Sequence, residues 1–333
     1  LHAMLASLAA EGVTHAAMEA SSHGLAQRRV DGVQLAAGAL THISRDHLDY
    51  HEDAADYAAA KLRLFTHVLP EGAAAVVNTD DRHFAPAADI ARDRRLRLIG
   101  VGEAECADLR LLGIAYDDTG QTVRFGWQGV ARKARLGLIG GFQAHNALVA
   151  CGLLIGAGAD PAAVFAALPR LTGVRGRMEM VARRSNGAAI FVDYAHTPGA
   201  LEAALQALRL HTPGRLVVVF GAGGDRDPGK RPLMAEAAAR FADHVIVTDD
   251  NPRSEDPAAI RAAVMQGAPE AEDGGERAEA ILRGVDGLGP NDRLLIAGKG
   301  HETGQEIAGV KHPFDDAEVA RAAVVALDEE KDG

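Results

Sequence analysis

Several short stretches of the chain concentrate side chains that can do chemistry. Glu19-Ala20-Ser21-Ser22-His23-Gly24-Leu25 sets a carboxylate at the end of an apolar run and follows it with hydroxyls. That combination suits Mg²⁺, a hard ion that takes a few protein oxygens and leaves positions for phosphate. The plainer reading is a helix N-cap by Ser21 or Ser22. Ser44-Arg45-Asp46-His47-Leu48-Asp49-Tyr50-His51 packs two histidines and two aspartates into six positions. A working loop or a solvated turn would each account for it. No Cys joins it and the spacing is not H-E-x-x-H, which argues against structural zinc. In Tyr57-Ala58-Ala59-Ala60-Lys61-Leu62-Arg63-Leu64-Phe65 the lysine follows alanines on a helix with Leu62 and Phe65 on its apolar face. A partly buried lysine loses its proton readily, and the neutral amine can take up CO₂ as a carbamate, an oxygen ligand for metal. A snorkelling lysine is the alternative.

Two further stretches lie in the second half. Gly224-Asp225-Arg226-Asp227-Pro228-Gly229-Lys230-Arg231 matches the spacing G-x-x-x-x-G-K. Arg231 stands where Ser or Thr must bind Mg²⁺, and Pro228 removes a backbone N–H from the cradle, so it is not a Walker A loop. Arg226 and Lys230 near a helix start still suit an anion. Asp249-Asp250-Asn251-Pro252-Arg253 offers two acids, an amide and a guanidinium. The guanidinium can clamp a carboxylate bidentately while acid and amide hold an ammonium, which is a grip for the zwitterionic end of an amino acid. An Asn-Pro turn with a surface Arg is the simpler account of the motif alone.

Positioning these groups requires an α/β protein with a mainly parallel sheet, because short apolar runs alternate with helical-period segments almost throughout. In the first half the pattern predicts strands at 14–19, 36–43, 73–78 and 96–101, and helices at 1–11, 54–67 and 82–94. Residues 109–138 alternate as antiparallel strands do, with Asp117-Asp118-Thr119-Gly120 as a turn. Helices start at His145 and Pro161. The Gly/Arg/Pro-rich stretch 169–176 reads as a boundary, giving domains 1–173 and 174–333. The second half predicts strands 188–192, 215–220, 244–247 and 293–296, with helices beginning near Pro198, Lys230, Pro257 and Ala278. Each strand runs into a polar loop: Asp193-Tyr194-Ala195-His196-Thr197, Gly221 to Asp227, Asp249 to Arg253, and Gly298-Lys299-Gly300-His301-Glu302. The carboxyl ends of parallel strands share one edge where ligands bind, so four such loops make one cleft.

Composition limits the rest. Of 333 residues, 47% are hydrophobic and 24% charged, and the net charge is −11 from 46 acidic and 35 basic residues. That balance argues against a nucleic-acid surface. No apolar run approaches a membrane span and no signal sequence opens the chain, so the expected setting is cytoplasmic, without membrane or nucleic acid. Cys106 and Cys151, the only two cysteines, lie far apart and read as packing residues in a reducing compartment. Only six lysines occur, and Lys61, Lys230 and Lys299 all fall in the stretches above. Arginine dominates elsewhere, which singles these three positions out as lysines, a side chain that, unlike Arg, can also act as an uncharged amine.

Taken in order, Glu19 to Leu25, Ser44 to His51, Ala60-Lys61, Gly176-Arg177-Met178-Glu179, Asp193-Tyr194-Ala195-His196-Thr197-Pro198, Gly224-Asp225-Arg226-Asp227, Asp250-Asn251-Pro252-Arg253 and Gly298-Lys299-Gly300-His301-Glu302 resemble the Mur ligase family over essentially the whole chain. Any one motif is weak, but eight in order are specific. The resemblance implies a central ATP-binding domain followed by a Rossmann-like C-terminal domain. It implies an ATP-dependent ligase of peptidoglycan synthesis, in which the D-glutamate carboxylate of UDP-N-acetylmuramoyl-L-alanyl-D-glutamate is phosphorylated and then attacked by the amine of meso-2,6-diaminopimelate. By the same resemblance Glu19, His47 and a carbamylated Lys61 hold Mg²⁺. Ser21, Gln27 and Arg29 hold the muramyl dipeptide, and Asn146, Arg177, Asp193 and His196 line the ATP side. Arg226, Asp250, Asn251, Pro252, Arg253, Gly298 and Glu302 form the diaminopimelate pocket of a monomer. In this family the D-N-P-R form goes with diaminopimelate, whose distal carboxylate Arg253 can pair.

Two departures qualify the resemblance. The family carries a uridine-binding domain and a G-T-N-G-K-T phosphate loop ahead of the segment present here. The chain therefore reads as N-terminally truncated and is expected to lack ligase activity alone. Gln143 stands where relatives often carry Asn, which loosens the adenine contact expected beside His145-Asn146. Two rivals are a folylpolyglutamate synthase-like ligase of the same superfamily, against which Asp250 to Arg253 speaks, and a non-catalytic nucleotide- or amino-acid-binding module. A dinucleotide dehydrogenase fits worse, since no G-x-G-x-x-G opens a helix after a strand.

Overall fold

The computed structural model describes residues 1–43 and 50–332, with side chains to residue 329. Two compact units emerge. One comprises residues 1–114, 122–135 and 143–169, the other 115–121, 136–142 and 170–333. Among the described residues no helix is long and apolar enough to cross a membrane.

The first unit is built on a sheet of order β1-β2-β3-β4-β5-β6. Strands β1 (Ala37–Leu40), β2 (Ala74–Asn78) and β3 (Arg97–Gly102) run parallel, with β3 passing parallel into β4 (Leu109–Asp117). The last two strands are β5 (Gly120–Trp127) and β6 (Val130–Leu136). The β5–β6 connection is Gln128-Gly129, both at positive φ (51° and 77°), the left-handed pair that a tight hairpin demands. Among the described residues six α-helices belong here: α1 (His2–Ala10), α2 (Ser22–Ala26), α3 (Ala54–Arg63), α4 (Phe84–Asp93), α5 (Phe142–Gly156) and α6 (Pro161–Ala167). A π-helical turn, Leu64–Val68, continues α3. Its core gathers Leu40, Tyr57, Phe65, Val77 and Ala87 under β1 and β2.

One predicted element is absent. Residues 14–19 form no strand: β1 is the sheet edge and pairs with β2 alone, and Val13 and Met18 are exposed. A strand needs a ladder partner as well as an apolar pattern, and among the described residues this stretch has none.

The second unit carries a sheet of order β11-β10-β9-β12-β8-β7. Strands β8 (Ala189–Asp193), β9 (Leu216–Phe220), β10 (His244–Thr248), β11 (Glu272–Gly275) and β12 (Arg293–Ala297) are parallel, and β7 (Glu179–Arg183) adds an antiparallel edge. Every residue of β9 and β12 is buried. Leu-Val-Val-Val-Phe is the near-continuous apolar run that helices on both faces require. Helices α7 (Pro198–Arg209), α8 (Lys230–Phe241), α9 (Pro257–Met265), α10 (Arg277–Asp286) and α11 (Asp316–Asp332) cover it, and a small hairpin pairs β13 (Gly304–Ile307) with β14 (Val310–Pro313). Helix starts are written plainly. Thr197 and Asp256 cap α7 and α9 with their side chains, each followed by a proline at the first helical position. Proline lacks the N–H that would go unpaired there, so cap and proline together fix where each helix begins.

Candidate functional site

Four strand ends of the second unit, in sheet order β10-β9-β12-β8, feed four loops that are bonded to one another. After β8, the Gly298 N–H donates to the Asp193 carbonyl at 3.1 Å, joining that loop to the one after β12. The Gly224 N–H donates to the Asn251 carbonyl at 2.9 Å, joining the loops after β9 and β10. Lys230 Nζ donates to the His196 carbonyl at 2.9 Å, tying α8 to the loop after β8. The edge is a connected lattice.

Its tightness explains its glycines. A Cβ at Gly300 (φ 54°) would lie 2.7 Å from Tyr194 Cβ, and one at Gly224 would lie 2.0 Å from the Pro252 carbonyl oxygen. Strain collects here too. Met178, Asp225 and Arg253 have φ of 47°, 53° and 53°, a region costly for residues with a side chain and characteristic of working sites.

Arg253 owes its conformation to the small hairpin: its N–H donates to the Glu306 carbonyl (3.0 Å) and its carbonyl accepts from Ala308 (2.7 Å). The half-buried guanidinium donates through Nη1 to the Gly224 carbonyl at 2.7 Å and sets Nε 3.3 Å from Glu306 Oε2. Nη2 has no partner among the described residues. Beside it Asn251 donates from Nδ2 to Glu302 Oε2 (3.2 Å), and its Oδ1 accepts from Lys299 Nζ (2.9 Å) and the Glu306 N–H (2.9 Å). Asp250 is buried, with its carboxylate against the Gly298 backbone, and its carbonyl accepts from Gln305. Pro252 is buried in the turn and Arg226 is exposed. Arg226, Asp227, Asp250 and Arg253 all bear on the charge of Lys230, whose pKa burial pushes below the ordinary lysine value. The structure thus brings Arg226, Asp250, Asn251, Pro252, Arg253, Gly298 and Glu302 to one edge.

Arg177, Asp193 and His196 stand on the same edge. Asp193 accepts the Met178 and Ala195 N–H groups at 2.7 and 2.8 Å. Burial raises its pKa, with those N–H groups and Arg177 opposing the shift. The Arg177 guanidinium lies 4.9 Å from the centre of the Tyr194 ring, and His196 sits 4.6 Å from the same ring.

In the first unit the candidate residues are open. Glu19 and Asn146 are exposed. Ser21 caps α2, its Oγ accepting the Gly24 N–H at 3.0 Å, so the plainer role is filled in this structure. Gln27 donates to the Tyr50 hydroxyl (3.2 Å) and accepts from Arg29 (2.5 Å), all on the surface. Lys61 is half-buried, its Nζ 5.5 Å from the centre of the Tyr57 ring. His47 lies outside the described residues. Among the described residues no group of three or more His, Cys, Asp or Glu could hold a metal.

Glu306, Arg277 and Asp316 escape the sequence reading. Arg277 is fully buried, paired at 2.7 Å through both Nε and Nη2 with the equally buried Asp316. It also donates to the carbonyls of Asp249 (3.3 Å), the first residue after β10, and Ala297 (3.0 Å), the last residue of β12. One signal was available: a cation in the first turn of a helix opposes the helix dipole, an arrangement that a paired acid offsets.

Comparisons with known proteins agree in direction. Residues 1–154 match a family described as Mur ligase middle domain, and residues 176–300 one described as Mur ligase, glutamate ligase domain. The chain is 52% identical over 329 residues to the UDP-N-acetylmuramoyl-L-alanyl-D-glutamate--2,6-diaminopimelate ligase of Bradyrhizobium diazoefficiens, covering 98% of this chain and 68% of that protein. It is 51% identical over 325 residues to the protein of that name from Caulobacter vibrioides, covering 98% and 67%. A solved structure titled with the same ligase name aligns at TM-score 0.71 and 38% identity, over 95% of this chain and 65% of the other. Folylpolyglutamate synthase of Mycobacterium tuberculosis, complexed with ADP and AMPPCP, shares the fold at TM-score 0.63 and 22% identity over 80% and 62%. The chain therefore spans about two thirds of the length of the relatives it matches.

Proposed function

Because the chain belongs to the Mur ligase family, we propose that it carries the middle domain (1–173) and C-terminal domain (174–333) of a cytoplasmic, monomeric, ATP-dependent ligase. That enzyme joins meso-2,6-diaminopimelate to UDP-N-acetylmuramoyl-L-alanyl-D-glutamate in peptidoglycan synthesis. The reading rests on one observation above all: the Arg253 guanidinium is held in place through Nη1 and Nε at a strand-end edge, beside an amide and two acids. Such a guanidinium matches a carboxylate, and Asp250 and Glu302 match an ammonium. Diaminopimelate has a carboxylate at its far end. Lysine has an ammonium there, which would face Arg253 with like charge.

On this reading Asn146, Arg177, Asp193 and His196 take the nucleotide, and Ser21, Gln27 and Arg29 take the muramyl dipeptide. Glu19, His47 and a carbamylated Lys61 form a carboxylate, imidazole and carbamate set whose donors suit Mg²⁺. The ion, when bound, would draw negative charge from phosphoryl oxygens. Arg226 and Lys230 add positive charge where two anionic reactants must approach each other.

Phosphate release by the complete protein, with the nucleotide-linked substrate and ATP, tests the proposal. We expect turnover with meso-diaminopimelate at least roughly a hundredfold above that with L-lysine, and loss of most of that preference in Arg253→Ala. Equal use of lysine, or no turnover with either amino acid, would overturn the reading.

A further inference from the structure

The lysine inside the pocket motif is not at the surface of the pocket. Lys299 has a fully buried side chain, yet an ammonium out of water is costly unless paired and hydrogen-bonded. Its partners are Asn251 Oδ1 at 2.9 Å and Glu302 Oε2 at 3.4 Å. Both partners belong to the proposed amino-acid pocket, and both are half-buried where Lys299 is not exposed at all. The lysine therefore lies behind them.

Its effect on each is specific. Asn251 can be turned two ways, since its amide oxygen and nitrogen have nearly the same shape. With Lys299 and the Glu306 N–H both donating, the Lys299 side of the amide must be oxygen, and Nδ2 must point at Glu302. Glu302 then has Oε2 taken by Asn251 and Lys299, while Oε1 has no partner among the described residues. A carboxylate pinned by one oxygen presents the other in a fixed place.

We propose that Lys299 is a positioning residue for the incoming amino acid, holding Asn251 in one amide orientation and Glu302 with a single oxygen free for the substrate ammonium. This rests on the proposed function and adds to it a residue that does not touch substrate. Asp250 and Asp316 favour the charged lysine, while Arg277 disfavours it. Losing the ammonium leaves Glu302 and Asp250 with less positive charge nearby.

The test is steady-state kinetics of the complete enzyme carrying Lys299→Met, Lys299→Gln, Glu302→Gln and the pair Lys299→Met/Glu302→Gln. We expect Lys299→Met to raise the KM for meso-diaminopimelate about tenfold or more, the worth of a buried hydrogen bond to a charged group, with the KM values for ATP and the nucleotide-linked substrate changed less than about twofold. Lys299→Gln, which keeps an N–H for Asn251 Oδ1, should recover part of that loss. The double variant should fall short of the product of the two single losses, because the Lys299–Glu302 contact is lost in both singles and only the hold on Asn251 stays separate. Equal rises in all three KM values, multiplicative losses in the double variant, or failure of both Lys299 variants to fold would each assign Lys299 to the scaffold and overturn the proposal. The parent enzyme separates the two ideas: absent turnover with meso-diaminopimelate there sinks the functional reading itself, whereas normal turnover with an unchanged KM in Lys299→Met sinks only this one.

Discussion

The groups around Arg253 in the second unit and the candidate residues of the first are held in opposite ways. In the second unit Asn251, Arg253, Glu302 and Asp193 are all hydrogen-bonded to neighbouring loops, over fully buried Arg277, Asp316 and Lys299. In the first unit Glu19, Gln27, Arg29 and Asn146 are exposed, and Gln27 and Arg29 are tied chiefly to each other and to Tyr50. A pocket that must tell one amino acid from another gains from groups fixed before the ligand arrives, since less freedom is lost on binding. Surface groups that meet a long, charged substrate can be ordered by the substrate itself. The comparison teaches where mutations will be felt as stability and where only as affinity.

The largest effect should come from Arg277. Arg277→Ala strands the fully buried Asp316 and frees the carbonyls of Asp249 and Ala297. Breaking one side of a buried pair costs about 3–5 kcal/mol, which urea unfolding of the chain would register. Arg277→Met combined with Asp316→Leu removes both charges and should recover much of that loss. The double variant should still weaken the pocket, because no donor would then hold those two carbonyls. If the double variant is as unstable as the single, the pair is not what organises this edge.

How much of this could be read beforehand depends on the kind of element. The second unit's central strands were legible to within about a residue, because a strand buried on both faces is a bare apolar run. Glu272–Gly275 was not, since E-D-G-G has no apolar residue and joins the sheet through backbone pairing with β10. The hairpin β13–β14 is silent because its two four-residue strands are short and mostly polar, although it sets the φ of Arg253 through Glu306 and Ala308. Residues 14–19 failed in the other direction, with an apolar pattern that finds no ladder. The pocket motifs were visible as polar loops at strand ends. What stood behind them was not, because Arg277 and Asp316 lie 39 positions apart and only the fold makes them neighbours.

A smaller effect separates the units by pH. Burial pushes the pKa of Lys299 below its ordinary value of 10.5, and that of Lys230 likewise. Between the depressed folded value and 10.5 the unfolded chain binds more protons than the folded one, so stability rises with pH across that window. Each lysine can contribute at most about 1.4 kcal/mol per pH unit. Comparing urea unfolding at pH 7.5 and 10 for the parent and for Lys299→Met should show a shallower rise in the variant. An identical rise would mean that the buried lysine is protonated as easily as a free one.

The smallest stability effect should come from the open set. Arg29→Ala and Gln27→Ala remove a surface network in which Gln27 donates to the Tyr50 hydroxyl and accepts from Arg29. Exposed polar contacts of this kind exchange protein partners for water at little net cost, so unfolding free energies should move by less than about 0.5 kcal/mol. Affinity is another matter. If these side chains meet the muramyl dipeptide, each variant should raise the KM for the nucleotide-linked substrate roughly tenfold while leaving that for meso-diaminopimelate unchanged. That pattern is the mirror image of the one expected for Lys299. Should Arg29→Ala instead cost more than about 1 kcal/mol of stability with no change in either KM, the exposed network would be scaffold, and the contrast between a prebuilt pocket and an open one would fail.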